Sequence, residues 1–205
     1  MVYFALNELE INMLTHFFKS INWADVALAV LFARVIFISV RNGFVAEGFK
    51  FIGVIVALFI SLHFYASFAA IIVKKTTLPL ASWQFLIFTG LWVVVSVAFS
   101  LLHKGVLILF KVEATNPGVD KYAAGFLGAA RAIFLCSLTI FALMLIHHDG
   151  VRRHTLLSYG YKITAKAAPN TYKFLYDNFV GKLVEGQQFN ADVFGIVGKH
   201  GINPK

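Results

Sequence analysis

Residues 22–73 decide the fold: NWADVALAVLFARVIFISV (22–40), RNGFVAEGFK (41–50) and FIGVIVALFISLHFYASFAAIIV (51–73). Two apolar runs, each near the roughly 20 residues a helix needs to cross a bilayer, flank a short charged turn. The turn holds Arg41, Gly43, Glu47 and Lys50, and the first run carries Arg34 inside it. Charge within lipid is costly, so ionisable residues there mark function or a paired partner. The hairpin is expected to be a packing core with a polar centre.

Composition extends this reading to the whole chain. Of 205 residues, 59% are apolar and 14% charged, with a mean hydropathy of +0.76. A soluble domain of this size needs more polar surface than that. The apolar runs lack the strict alternation of an outer-membrane barrel, and Pro79, Pro117, Pro169 and Pro204 all fall between or beyond them. The expected class is an all-α integral membrane protein with four transmembrane helices, an N-terminal amphipathic helix and a C-terminal amphipathic helical tail. The net charge of +8 sits on residues flanking apolar runs. That placement suits lipid headgroups and topology rather than nucleic acid. Cys136, the single cysteine, lies within a span and reads as a packing residue.

In residues 1–21, Leu6, Leu9, Met13, Phe17 and Ile21 recur at helical spacing. They predict an amphipathic helix, lying on the membrane or packed on the rest of the protein. Glu8 and Glu10, with no basic start, exclude a secretory signal. The four-span domain is placed at 22–146, with spans at about 24–40, 51–73, 83–102 and 122–146 and a short interfacial helix at 104–112. His63, in the middle of the second span, reads as a hydrogen-bonded packing residue. Ala124, Gly128 and Ala132 repeat every fourth residue, a row that lets another helix approach closely. Residues 147–205 form a soluble or membrane-surface tail with a helix at about 171–185, and the last twenty residues are expected to be poorly ordered. The histidines of HHDGVRRH (147–154) lack the spacing of a metal site. They read as a membrane exit anchored by Arg152 and Arg153.

Four spans place both termini on one side. Near the spans that side carries Lys19, Lys74, Lys75, Arg152, Arg153, Lys162 and Lys166, against Arg41, Lys50, Lys104, Lys111 and Lys121 on the other. The excess predicts cytoplasmic termini. Depth follows from the 1.5 Å rise per residue: Arg34 lies about 10 Å inside the face carrying the first turn, and Arg131 about 15 Å inside the same face. Glu47 starts the second helix there. Pairing of Glu47 with Arg34, Arg131 or both is expected, the alternative being that each arginine reaches a lipid headgroup alone. Two arginines on one acid leave a positive site able to receive a phosphate or carboxylate.

These residues also carry a resemblance. Asn22-Trp23-Ala24-Asp25 opens span one, Arg41-Asn42-Gly43-Phe44-Val45-Ala46-Glu47 forms the turn, and Asp120-Lys121 leads to Gly128-Ala129-Ala130-Arg131. Over about residues 22–150 the chain resembles the CvpA (colicin V production protein) family of bacterial inner-membrane proteins. Asp120, Gly128 and Arg131 match the family's approximate D-R-x-x-G-x-x-x-G-x-x-R-G pattern, while Lys121 replaces Arg and Ala124 and Ala132 replace glycines. The resemblance implies a four-span protein linked to colicin V production or export and to envelope homeostasis, and brings no catalytic residue or cofactor. No G-x-S-x-G, HExxH, P-loop or paired-carboxylate motif occurs. The expectation is a non-enzymatic accessory or scaffold without cofactor or metal. Its partners would be the lipid bilayer and a second copy or other membrane or export proteins. The alternative is an oligomeric transporter or channel subunit with a basic intramembrane path lined by Arg34, Arg131, His63 and Asp25.

Overall fold

The structure, a computed structural model, describes residues 22–109, 117–183 and 188–198. The amphipathic helix expected over 1–21 lies outside the described residues. Four long helices are each apolar and long enough to cross a membrane: α1 (Trp23–Asn42), α2 (Phe44–Val73), α3 (Leu80–Leu109) and α4 (Pro117–Leu145). Short helices follow: α5 (Asp149–Leu157), α6 (Tyr159–Thr164), α7 (Ala167–Leu175), a π-helical turn (Tyr176–Val180), α8 (Gly181–Leu183) and α9 (Asp192–Gly198). The described residues are all-helical, and the protein is a membrane protein.

Local chemistry sets the helix ends. Asn22 caps α1, its side chain accepting from the Ala24 N–H at 3.1 Å. Gly43, with φ +80°, separates α1 from α2, a conformation that a side chain would strain. Pro79 interrupts the path from α2 to α3, and Pro117 stands in the first position of α4, where its missing N–H costs nothing.

Lateral order differs from chain order. α1 packs chiefly on α4, α4 also packs on α2, and α2 makes the most extensive pairing of all with α3. The two spans of the 22–73 hairpin barely touch each other. The fourth span therefore forms the centre that the hairpin was expected to form. Half of α4's apolar stretch is buried, against 6% for α3, where only Phe88 among the described residues is fully buried, so α3 stands at the edge of the bundle with one face on α2.

Two further expectations are corrected. The separate interfacial helix at 104–112 is absent as such, because α3 continues unbroken to Leu109. Gly105 carries only about 1 kcal/mol of helix penalty, and nothing lies close enough to it to force a bend. Residues 110–112 fall outside the described residues. The tail, in turn, is docked onto the bundle. Ser137 Oγ donates to the Ala165 carbonyl (3.1 Å) and accepts from the Ala168 N–H (2.9 Å). The Asn190 amide donates to the Leu62 carbonyl at 2.8 Å. α9 lies within the last twenty residues, yet Val193 is wholly buried, so apolar burial orders that part of the chain. Over residues 167–183 the chain is helical and widens at the π turn. There the Asn178 amide donates to the Phe174 carbonyl at 2.9 Å and competes with the ordinary backbone pairing.

Helix length explains the place of His63. α2 and α3, each about 45 Å long, outrun the roughly 30 Å of α1, and His63 lies about 28 Å from the start of α2. The residue is mid-span by count but level with the far end of α1, where the tail packs.

Candidate functional site

The site is built around Glu47, on the first turn of α2 and wholly buried. A carboxylate buried in an apolar bundle needs a compensating charge and a full set of donors. Arg131 of α4 supplies the charge, with Nη1 2.9 Å from Glu47 Oε2. Lys50, one turn on, donates to Oε1 at 3.2 Å, and Asn42 Nδ2, at the end of α1, donates to the same oxygen at 2.7 Å. Ser39 Oγ stands 3.0 Å from Oε2 and 2.7 Å from the Val35 carbonyl. Its single proton serves one of them at a time, while its lone pair accepts from Arg131 Nη2 at 3.3 Å. Glu47 thus joins α1, α2 and α4 at one point.

Close approach of helices makes this possible. Ala124 and Ala132 are fully buried along α4, and Gly128 between them faces Ser39, where a Cβ would come within 2.2 Å of Ser39 Oγ. The small-residue row therefore seats α1. At the same end the Asp120 carboxylate accepts from the Phe44 N–H at 2.9 Å, fixing the α1–α2 turn to α4. A Cβ on Gly43 would meet that carboxylate at 2.8 Å. Asp120, Gly43 and Gly128 are all positioning residues of one corner.

Arg34 is not part of it. The inward stripe of α1 runs through Ala24, Leu28, Val35 and Ser39, and Arg34, five residues before Ser39, is turned about 140° away at 100° per residue. It is exposed and makes no ion pair among the described residues. Arg41 is likewise exposed, its guanidinium 4.3 Å over the Phe37 ring. Asp25 serves the other end of the bundle, accepting from the Gly160 N–H of α6 at 2.8 Å. Three of Glu47's partners, Ser39, Asn42 and Lys50, were not assigned to the cluster from sequence. Ser39 shares the inward stripe of α1, and Lys50 follows Glu47 by the three residues that place side chains on one helix face.

The chain matches, over residues 24–169, the family described as Colicin V production protein. That is well over half of its length. The chain belongs to the colicin V production protein family. The match takes in α5 and α6 and enters α7, so the family region reaches past residue 150 into the docked tail. No curated protein and no solved structure matches the chain.

Other features of this family member are structural in character. His63 Nδ1 lies 3.0 Å from the Tyr172 hydroxyl, and that hydroxyl also accepts from the Asn190 N–H at 3.0 Å. Burial pushes the Tyr172 hydroxyl above its ordinary pKa, a rise that the Asn190 N–H opposes and nearby Tyr176 reinforces. Tyr161, whose hydroxyl donates to the Val197 carbonyl at 2.7 Å, is raised by burial as well, against the lowering influence of Arg152. Among the described residues no group of three or more His, Cys, Asp or Glu is placed to hold a metal.

Proposed function

We propose that this colicin V production family member is a non-enzymatic accessory or scaffold of the bacterial inner membrane, with cytoplasmic termini. It would act in toxin production or export and in envelope homeostasis through membrane or export partners or a second copy of itself. The observation that carries this reading is the use to which charge is put. Glu47, Arg131 and Lys50 bind one another, and Arg34 faces outward, so the charges at this corner fasten helices together. A bundle in which α1, α2 and α4 are fastened at one buried point and α3 stands outermost suits a platform for other membrane proteins.

The test is reconstitution beside complementation. The wild-type chain restores toxin export to a strain lacking its own copy, and liposomes containing it pass no ions or small solutes. Flux that Arg131→Leu abolishes would replace this reading with the oligomeric channel or transporter subunit.

A further inference from the structure

A second feature lies beside the Glu47 cluster and is not used by it. Between α2, α3 and α4 a cavity of about 180 Å³ is lined by, among others, Lys50, Gly53, Ser96, Phe99, Ser100 and Arg131. The small side of Gly53 against Phe99, where a Cβ would come within 2.9 Å, brings α2 and α3 together at its wall. Arg131 spends Nη1 on Glu47 and Nη2 on Ser39, yet its Nε is buried with no hydrogen-bond partner. The side chain is 9% exposed. A buried guanidinium N–H without an acceptor is costly, and an acceptor in this cavity removes the cost.

The charge balance agrees. Two cations, Arg131 and Lys50, share the single carboxylate of Glu47, leaving one surplus positive charge. Lys50 lies about 9 Å along α2 from its start, where an unpaired charge is unfavourable. Its ammonium makes one bond, to Glu47, and so has protons to give. Ser96 Oγ makes no hydrogen bond among the described residues, whereas Ser100 Oγ donates to the Ser96 carbonyl at 2.9 Å and offers only lone pairs. Three donor-bearing side chains, one from each of three helices, therefore border one cavity. Three donors beside a surplus positive charge suit an oxyanion, and a phosphate can give each of them an oxygen of its own. The volume falls below the roughly 300–1,000 Å³ of sites for drug-sized ligands, which fits a single phosphate group.

We propose that the Lys50–Ser96–Arg131 cavity binds a phosphate group, presented by an anionic lipid headgroup or by a small free anion. This is independent of the scaffold reading, because a bound phosphate is compatible with either a platform or a transporter.

The experiment uses the delipidated full-length protein in detergent, with Lys50→Met and Ser96→Val as variants that leave Arg131 on Glu47. Native mass spectrometry after exposure to mixed phosphatidylglycerol and phosphatidylcholine reads the headgroup arm. Thermal unfolding in inorganic phosphate, against chloride at equal ionic strength, reads the free-anion arm. A headgroup source gives about tenfold preferential retention of phosphatidylglycerol, the factor expected for one charge-assisted hydrogen bond. In both variants the preference falls to parity. A free-anion source gives a phosphate-dependent rise in the unfolding midpoint that both variants lose. Neither effect in the wild type, or effects that persist in both variants, overturns the proposal. Should Lys50→Met fail to fold, Ser96→Val alone decides, since no part of the Glu47 cluster contacts that side chain.

Discussion

Gly128 of α4 lies so near Ser39 of α1 that a Cβ placed on it would stand 2.2 Å from the Ser39 hydroxyl. Gly128→Ala must therefore push α1 from α4 and stretch the contacts of Ser39 with Glu47 and Arg131. The expected cost is about 1–3 kcal/mol, as for an overpacked core, read from unfolding in mixed micelles. Ser39→Gly in the same chain removes both atoms that clash, so the double variant should be less destabilised than the two single costs added together. Strict additivity would mean that the helices adjust without strain.

Glu47→Leu leaves Arg131 and Lys50 without their carboxylate in a buried setting. Removing one partner of a buried pair costs about 3–5 kcal/mol, whereas replacing both with apolar residues is often near neutral. Glu47→Leu with Arg131→Leu should recover much of what either change loses. Arg34→Leu, on the exposed side of α1, should alter stability by no more than about 0.5 kcal/mol. The same unfolding assay ranks all four chains, and a large loss in Arg34→Leu alone would contradict the geometry.

The tail should come loose without unfolding the bundle. Asn190→Ala removes the bond to the Leu62 carbonyl, and Ser137→Ala removes the hydroxyl that ties the α6–α7 junction to α4. Each is expected to weaken docking by about 0.5–1.5 kcal/mol, the net value of a typical hydrogen bond. Hydrogen exchange should quicken in α7 and α9 while amides of α2 and α4 keep their protection. Equal quickening throughout would show that tail and bundle unfold as one unit.

Docking should also depend on alkaline pH. Burial raises the Tyr172 hydroxyl above its ordinary value, so the docked state holds the proton more firmly than the free tail does. The contribution is fully present below the unfolded value of about 10 and is lost as pH rises through the higher folded value. Tyrosinate absorbance followed with tail exchange should show both changing together, and Tyr172→Phe should reduce this dependence to the part that Tyr161, also raised by burial, contributes. Undocking that begins near neutral pH would point to another group.

Run lengths make the four spans legible, and counting 1.5 Å per residue places Glu47 and Arg131 in the same half of the membrane. The rotation of α1 is hidden, because apolar residues surround Arg34 on every side and no polar face marks which stripe turns inward. Lateral order is hidden for the same reason: nothing local in residues 22–73 says that α4 will stand between α1 and α2. Lys50 carries a readable signal in its spacing from Glu47, but a lysine near a helix start reads equally well as a headgroup anchor. The docking of α9 rests on Val193 and Val197, two apolar residues too few to show a periodic stripe.

The central position of the last span has a consequence for biosynthesis. Glu47 leaves the ribosome some 84 residues ahead of Arg131, about 4–17 s at 5–20 residues per second. Throughout that interval the carboxylate has Lys50, Asn42 and Ser39 nearby but not its arginine. The first hairpin enters the bilayer incomplete, and assembly must wait for the final span to arrive between helices made earlier. Nascent chains arrested before position 131 should leave a cysteine at position 47 open to labelling that the finished protein resists. Equal protection in both would mean that insertion machinery, rather than α4, shields this corner first.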